Sequence, residues 1–371
     1  MKIAVIHWGC VHHDAISASV REHTLWLRAA GHETYFVGES CAYPELPFMR
    51  AATPAEALEL AFVRECDLAV FHFGIVYALF DLLTMPRGRS KRLVVFHNIT
   101  PADCVPQKFR EQIERSFRQM RNIAQADYVI SVSGTNRDVL REAGLDGPGK
   151  VLPLPFEFRN APPGNKPGFG SPLVRLAFLG RFVFHKGPCD LLEALSIALA
   201  ADPALRVELT MLGNLGFSDP DVLAETRERI RMLEETFLGR AHAALRGDVN
   251  EEEKARVLAA ADIFALPTRH EGFCVPVLEA LAGGCRVISY ANSNVPAISG
   301  GLARLVPTGD LDALSRALAE EAALVRSAGW QDEGYSLFTQ KAAQHLEQYQ
   351  PERIRKRFLE IVEESKQWKS R

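Results

Sequence analysis

The sequence predicts an α/β protein built from two parallel-sheet domains. Short apolar, β-rich runs alternate with helical patterns along most of the chain, the order that gives parallel sheets covered on both faces. At 371 residues the chain is long for a single core. Near its middle, residues 153–172 are rich in proline and glycine, and after them the alternation restarts. The expected division is residues 1–158 and 171–350, with a ligand cleft between the two halves.

In the first half, Lys2 to Trp8 reads as a buried strand stopped by Gly9. Residues 16–30 read as a helix ending at Gly31, and ETYFVGE as a second strand. A helix near 54–65 precedes two buried strands, DLAVFHFG (67–74) and RLVVFHN (92–98). A helix over 108–126, the strand DYVISVS and a short helix over 136–143 complete this half. The second half runs LVRLAFLGR, a helix at 188–200, RVELTMLGN, a long helix at 219–238, a short strand at 244–246 and a helix at 250–260. DIFALP, a short helix from Pro276 to Ala282, CRVISY and a helix from Asp310 follow. The last segment, 351–371, is a polar amphipathic helix whose apolar stripe is Ile354, Phe358, Ile361 and Val362.

Composition excludes several classes. A net charge of −3 argues against general nucleic-acid binding. The seven cysteines include no C-x-x-C pair, so they read as reduced thiols of a cytoplasmic protein and not as a disulfide framework or zinc site. No apolar run approaches the ~20 residues of a membrane span, so any membrane contact is expected to be peripheral, at the inner face of the plasma membrane. The basic segment 108–126 could rest on anionic lipid, although a solvated helix face explains it as well.

The chemistry concentrates in PTRHEGFCVPVLEALAGG, residues 267–284. Glu271 and Glu279 flank a turn, Gly272-Phe273-Cys274-Val275, that opens a helix at Pro276 and ends at Gly283-Gly284. Unpaired N–H groups at that helix start can hold an anion between two carboxylates. This suits a ligand with phosphates and hydroxyls, such as a sugar nucleotide. FLGRFVFHKG places Arg181 and Lys186 around a strand-to-helix loop, where two cations can bracket a diphosphate. His97 ends its strand toward the expected cleft; His72, similarly placed, reads as a satisfied loop histidine. His7, Cys10, His12, His13 and Asp14 match no common metal spacing and read as an acceptor-side loop, where Gly9 lets backbone approach a ligand. Asp219-Pro220-Asp221 opens a helix, a place where acids are favoured without any metal. Paired carboxylates also suit a glycosidase, but hydrolysing a neutral sugar needs no anion cradle. A nicotinamide dehydrogenase would need a G-x-G-x-x-G that HWGCVHH lacks.

Together these residues resemble the retaining glycosyltransferases of family 4, glycosyl transferases group 1, whose GT-B fold sets two Rossmann-like domains with parallel sheets facing a central cleft. The resemblance is carried by GR-x4-KG, G-D-V and E-x7-E in EGFCVPVLEALAGG, with FHNITP similar to the first-domain histidine segment of some polysaccharide-building members. It implies that Arg181 and Lys186 bind the donor diphosphate, that Glu279 holds the ribose and that Glu271 contacts the sugar near the reacting carbon. Backbone groups of Gly272, Phe273, Cys274 and Val275 would bind phosphate or sugar, His97 would contact the transferred sugar, and helix 351–371 would cross back onto the first domain. It implies metal-independent transfer without a cofactor, from a GDP- or UDP-sugar, with GDP-mannose favoured, to a glycan or lipid-linked acceptor in bacterial surface polysaccharide assembly. A catalytically inactive nucleotide-sugar binding protein is the alternative. Cys274 stands where many members have glycine, Ala297 where they usually have glutamate, and Cys10 departs from a glycine-rich first turn.

Overall fold

The computed structural model describes residues 1–12, 14–86, 88–157, 164–247 and 249–368. The chain divides into two compact units, residues 1–155 with 349–371, and residues 156–348.

The first unit runs β1 (Lys2–Ile6), β2 (Gly9–Cys10), α1 (Ala15–Ala29), β3 (Glu33–Gly38), β4 (Ser40–Cys41), β5 (Phe48–Arg50), α2 (Pro54–Glu59) and α3 (Ala61–Glu65). It continues through β6 (Leu68–Phe73), β7 (Lys91–Phe96), α4 (Arg110–Met120), β8 (Tyr128–Ser131), α5 (Gly134–Glu142) and β9 (Gly149–Val151). Seven strands form one sheet in the order β5-β3-β1-β6-β7-β8-β9, with parallel pairing throughout. The central strands are apolar on both faces because helices cover both: every residue of β6 is buried. Asp14 starts α1 by accepting the Ser17 N–H at 2.8 Å.

The second unit runs β10 (Leu173–Leu179), α6 (Pro188–Ala201), β11 (Arg206–Gly213), α7 (Pro220–Thr236), β12 (Ala241–Gly247), α8 (Glu251–Ala260) and β13 (Ile263–Leu266). Then come α9 (Val275–Ala282), β14 (Arg286–Tyr290), α10 (Val295–Ser299), β15 (Ala303–Val306), α11 (Leu311–Arg326) and α12 (Tyr335–Leu346). Its six strands are parallel in the order β12-β11-β10-β13-β14-β15. The proline-rich stretch before β10 is anchored by Lys166. Its buried ammonium donates to the Leu258 and Ala259 carbonyls at 3.1 Å and to Gly283 at 2.6 Å, satisfying the ends of α8 and α9.

The final helix, α13 (Pro351–Glu364), lies in the first unit with Ile354, Phe358, Ile361 and Val362 buried. Phe358 stacks on His23 of α1 at 3.8 Å between ring centres, 7° from parallel.

Several elements differ from expectation. The helix expected at 54–65 breaks at Leu60, whose ψ of 113° is extended and lies between α2 and α3. The α-helical part of 108–126 is α4 alone, and residues 121–125 tighten into a 3-10 turn. The strand expected at 244–246 is seven residues long because β12 pairs with β11 from Val207 to Gly213.

Candidate active site

The sheet of the second unit brings the two site segments together. β10 and β13 are neighbours, while β11 lies on the other side of β10, so the strand order reverses between them. Open parallel sheets take ligands beyond the carboxyl ends of strands at such a switch point. The loop after β10 carries Arg181 and Lys186, and the loop after β13 carries Glu271. Arg269 N–H donates to the His185 carbonyl at 2.7 Å, and Thr268 Oγ1 donates to the same oxygen at 3.0 Å. Gly187, at φ +68°, lets the first loop pass so closely that a Cβ there would sit 2.2 Å from the Pro267 carbonyl oxygen.

At the meeting point Lys186 Nζ lies 2.5 Å from Glu271 Oε1, with side chains 13% and 8% exposed. Burial alone would raise the Glu271 pKa. The charge of Lys186 and its hydrogen bond, helped by His185 and Thr268, outweigh burial and hold the carboxyl below its usual range. Glu271 is therefore an anion in a nearly dry site.

Beyond it, Cys274 caps α9 in the left-handed conformation, φ +77° and ψ +59°. A Cβ costs about 1–2 kcal/mol in that region. The Gly272, Cys274 and Val275 N–H groups have no backbone acceptor among the described residues. The buried Asn294 steadies the turn by donating to the Phe273 carbonyl at 2.8 Å.

Glu279 is in the second turn of α9, which begins at Val275. Lys254 of α8 reaches it at 2.5 Å and also meets Glu251 at 2.8 Å. Burial raises the Glu279 pKa, and Lys254 only partly offsets this. Arg181 is exposed and makes no ion pair among the described residues. The next residue, Phe182, is fully buried and pinned by Ser218 Oγ at 2.9 Å, so the loop holds Arg181 outward on a fixed stem. Sequence reasoning missed Lys254 and a cluster beside the site. Arg269 pairs with Asp190 at 2.7 Å, and Tyr290 donates to the same carboxylate at 2.9 Å. The signal for Arg269 was its place inside the motif itself.

His97 and Gly9 belong to the first unit. His97 is buried, and its Nε2 meets His72 Nδ1 at 2.9 Å. His72 Nε2 in turn meets His23 Nδ1 at 3.3 Å. Burial, with the neighbouring imidazoles, pushes the His72 and His97 pKa values well down, and burial takes His23 to about 3, so all three are neutral. His72 is thus a satisfied core residue that also supports His97. Asn98, next in the chain, sits at φ +116°. Gly9 is buried against β4, where a Cβ would lie 2.9 Å from Ser40 Oγ. Around it, Cys10 donates to the Ser17 carbonyl, Asp14 caps α1 and His7 Nδ1 donates to the His72 carbonyl. His13 of that cluster, and Asp248 of the G-D-V motif, lie outside the described residues. Asp219 caps α7 by accepting the Asp221 N–H at 2.9 Å, the helix-opening role. No group of three or more His, Cys, Asp or Glu among the described residues is arranged to hold a metal. No described helix is long and apolar enough to cross a membrane.

This fold, two units each with a parallel sheet, is that of the GT-B glycosyltransferases. A glycosyltransferase from Rickettsia africae superposes with a TM-score of 0.73 over 98% of both chains at 14% identity, a likeness of fold alone. Residues 174–322, inside the second unit, match the family described as glycosyl transferases group 1. A D-inositol 3-phosphate glycosyltransferase of Actinosynnema mirum is 30% identical over 214 residues, covering 52% of this chain and 49% of that protein. O-antigen chain mannosyltransferase B of Escherichia coli is 29% identical over 140 residues, 37% of this chain and 34% of that one. The chain thus spans about half the length, or less, of these curated relatives.

Proposed function

We propose that the chain is a retaining glycosyltransferase that moves a sugar from a nucleoside-diphosphate sugar to a glycan or glycolipid acceptor. The observation that carries this reading is the Lys186–Glu271 pair, set beside N–H groups that have no backbone acceptor among the described residues, at the switch point of the second sheet. A cation, a set of amide donors and an acceptor-only carboxylate match a diphosphate joined to a polyol. Arg181 and Lys186 meet the diphosphate charge, which is why the reaction is read as metal-independent. Glu279 accepts from the ribose hydroxyls, and Glu271 from hydroxyls of the sugar.

In the reaction the bond between the anomeric carbon and the phosphate oxygen breaks. The acceptor oxygen bonds to that carbon on the same face, and its proton passes to the departing phosphate oxygen. Charge grows on the diphosphate as it leaves, and Arg181 and Lys186 stabilise it most at that moment. His97, neutral and with Nδ1 engaged by no described residue, serves as a hydrogen-bonding group for the sugar. The mannosyltransferase relative and the FHNITP segment favour GDP-mannose, with UDP-sugars next, and the O-antigen relative favours surface polysaccharide assembly.

A thermal-shift panel of GDP, UDP, their sugars and NAD tests the reading. A diphosphate at ~100-fold over its Kd should stabilise the protein by about 2.7 kcal/mol, a shift of several degrees, while NAD should not. Tight donor binding without hydrolysis or transfer would favour an inactive binding protein instead.

A further inference from the structure

Two cysteines of the first unit face each other across a strand pair. β2 and β4 run parallel, and their register sets Gly9 beside Ser40 and Cys10 beside Cys41. The pairing is held on both sides. Glu39 N–H donates to the Trp8 carbonyl at 2.7 Å, Ala42 N–H to the Cys10 carbonyl at 2.8 Å, and the Tyr43 hydroxyl to the Val11 carbonyl at 3.3 Å. Register partners in a sheet turn their side chains to the same face, and successive residues alternate between faces. The Ser40 hydroxyl lies 2.9 Å from where a Gly9 Cβ would stand, so that pair shares one face. One residue on, Cys10 and Cys41 share the other. Neighbouring strands are about 4.8 Å apart, inside the span of about 4.4–6.8 Å between Cα atoms that a disulfide bridges.

Both residues are thiols in this structure. Cys10 Sγ donates to the Ser17 carbonyl and Cys41 Sγ to the Tyr43 carbonyl, each at 3.4 Å, weak bonds that a side-chain rotation gives up. We propose that Cys10 and Cys41 are a redox-modification site, oxidised to an intramolecular disulfide by a small disulfide of the glutathione class. Cys10 is fully buried and Cys41 half-buried, which sets the order of attack. The Cys41 thiolate attacks one sulfur of the small disulfide, and the other sulfur leaves and takes up the proton that Cys41 lost. Cys10 then gives up its proton and attacks the Cys41 sulfur, expelling the second small thiol, which takes that proton. Two protein thiols and one small disulfide thus become one protein disulfide and two small thiols. Burial, with the neighbouring Cys41, pushes the Cys10 thiol up to about 12, so the second attack is the slow one. The ladder already holds the backbone in place, so the bond forms without distortion and closes the chain around α1 and β3. This site stands whether or not the transferase reading does.

The test equilibrates the full, reduced chain with oxidised glutathione and maps the products by mass spectrometry of its peptides. Cys10 and Cys41 should be recovered joined to each other, and dithiothreitol should separate them. Cys10→Ser should stop at one glutathione on Cys41. Cys41→Ser, at the half-buried partner, keeps the fold and should leave Cys10 unmodified. Oxidation should raise the midpoint of thermal unfolding of the wild type by several degrees, and not that of Cys41→Ser, because only the wild type closes the loop. Three results overturn the inference. One is glutathione that stays on Cys41 of the wild type without passing to a Cys10–Cys41 bond. Another is a Cys10 and Cys41 that remain reduced while the half-buried Cys104 or Cys189 is modified. The third is an unchanged or lowered midpoint once the bond has formed.

Discussion

Lys186 and Glu271, 85 residues apart in sequence, meet at 2.5 Å in a nearly dry site. The pair ties the loop after β10 to the loop after β13. Lys186→Met would leave the Glu271 carboxylate buried without its partner. Removing one member of such a pair costs about 3–5 kcal/mol. Urea denaturation should show that loss, and Glu271→Gln, which removes a charge and keeps hydrogen-bonding capacity, should cost less.

Cys274 gives a second prediction. Cys274→Gly relieves about 1–2 kcal/mol of left-handed strain. It also forfeits a small buried side chain and adds about 0.5–1 kcal/mol of unfolded-state freedom. The terms nearly cancel, so stability should change by less than about 1 kcal/mol. Cys274→Val places a β-branched residue at φ +77° and should lose clearly more, as read by the midpoint of thermal unfolding.

The buried histidines set an acid limit. His7, at about 4, and His23, at about 3, have native pKa values below the ordinary 6.5. The unfolded chain therefore takes up protons first as pH falls. Their contribution is full above 6.5 and is lost as pH drops from there toward the native values. Each group costs about 1.4 kcal/mol per pH unit across that window. Unfolding followed from pH 7 to pH 5 should show falling stability, and His23→Phe, which keeps the stack on Phe358, should flatten that slope.

Glu279 and Lys254 predict the acid side of nucleotide binding. Burial raises the Glu279 pKa, and in the proposed role its ionised form is the one that accepts from a ribose diol. Affinity for a nucleoside diphosphate should therefore weaken as pH falls through that raised value. Lys254→Gln removes the cation that opposes burial and should move the weakening to higher pH, measurable by calorimetric titration across a pH series.

The parts of this protein that sequence reveals are those whose cause is local. β1, β6, β7 and β13 read as strands because burial on both faces leaves continuous apolar runs. α13 shows its buried stripe as a helical period. β5 and β9 lie at sheet edges, are three residues each and have no buried residue, so no pattern marks them. β15, at the edge of the second sheet, is likewise only half buried. In the site, Glu271, Lys186 and the turn were visible as motifs. The Lys254–Glu279 contact and the His23–His72–His97 series were not, because each joins residues from separate elements that only the packing brings together.

The central claim is that the second unit binds a diphosphate between the loop of Arg181 and Lys186 and the turn at 272–275. The most direct measurement is calorimetric titration of GDP and UDP into the wild type and Arg181→Ala. Arg181 is exposed and outside any ion pair among the described residues, so its removal should leave stability within about 0.5 kcal/mol. One nucleotide should bind the wild type, and Arg181→Ala should weaken it by at least about tenfold, or 1.4 kcal/mol. Equal affinity in the two proteins, or no binding of either nucleotide, would contradict it.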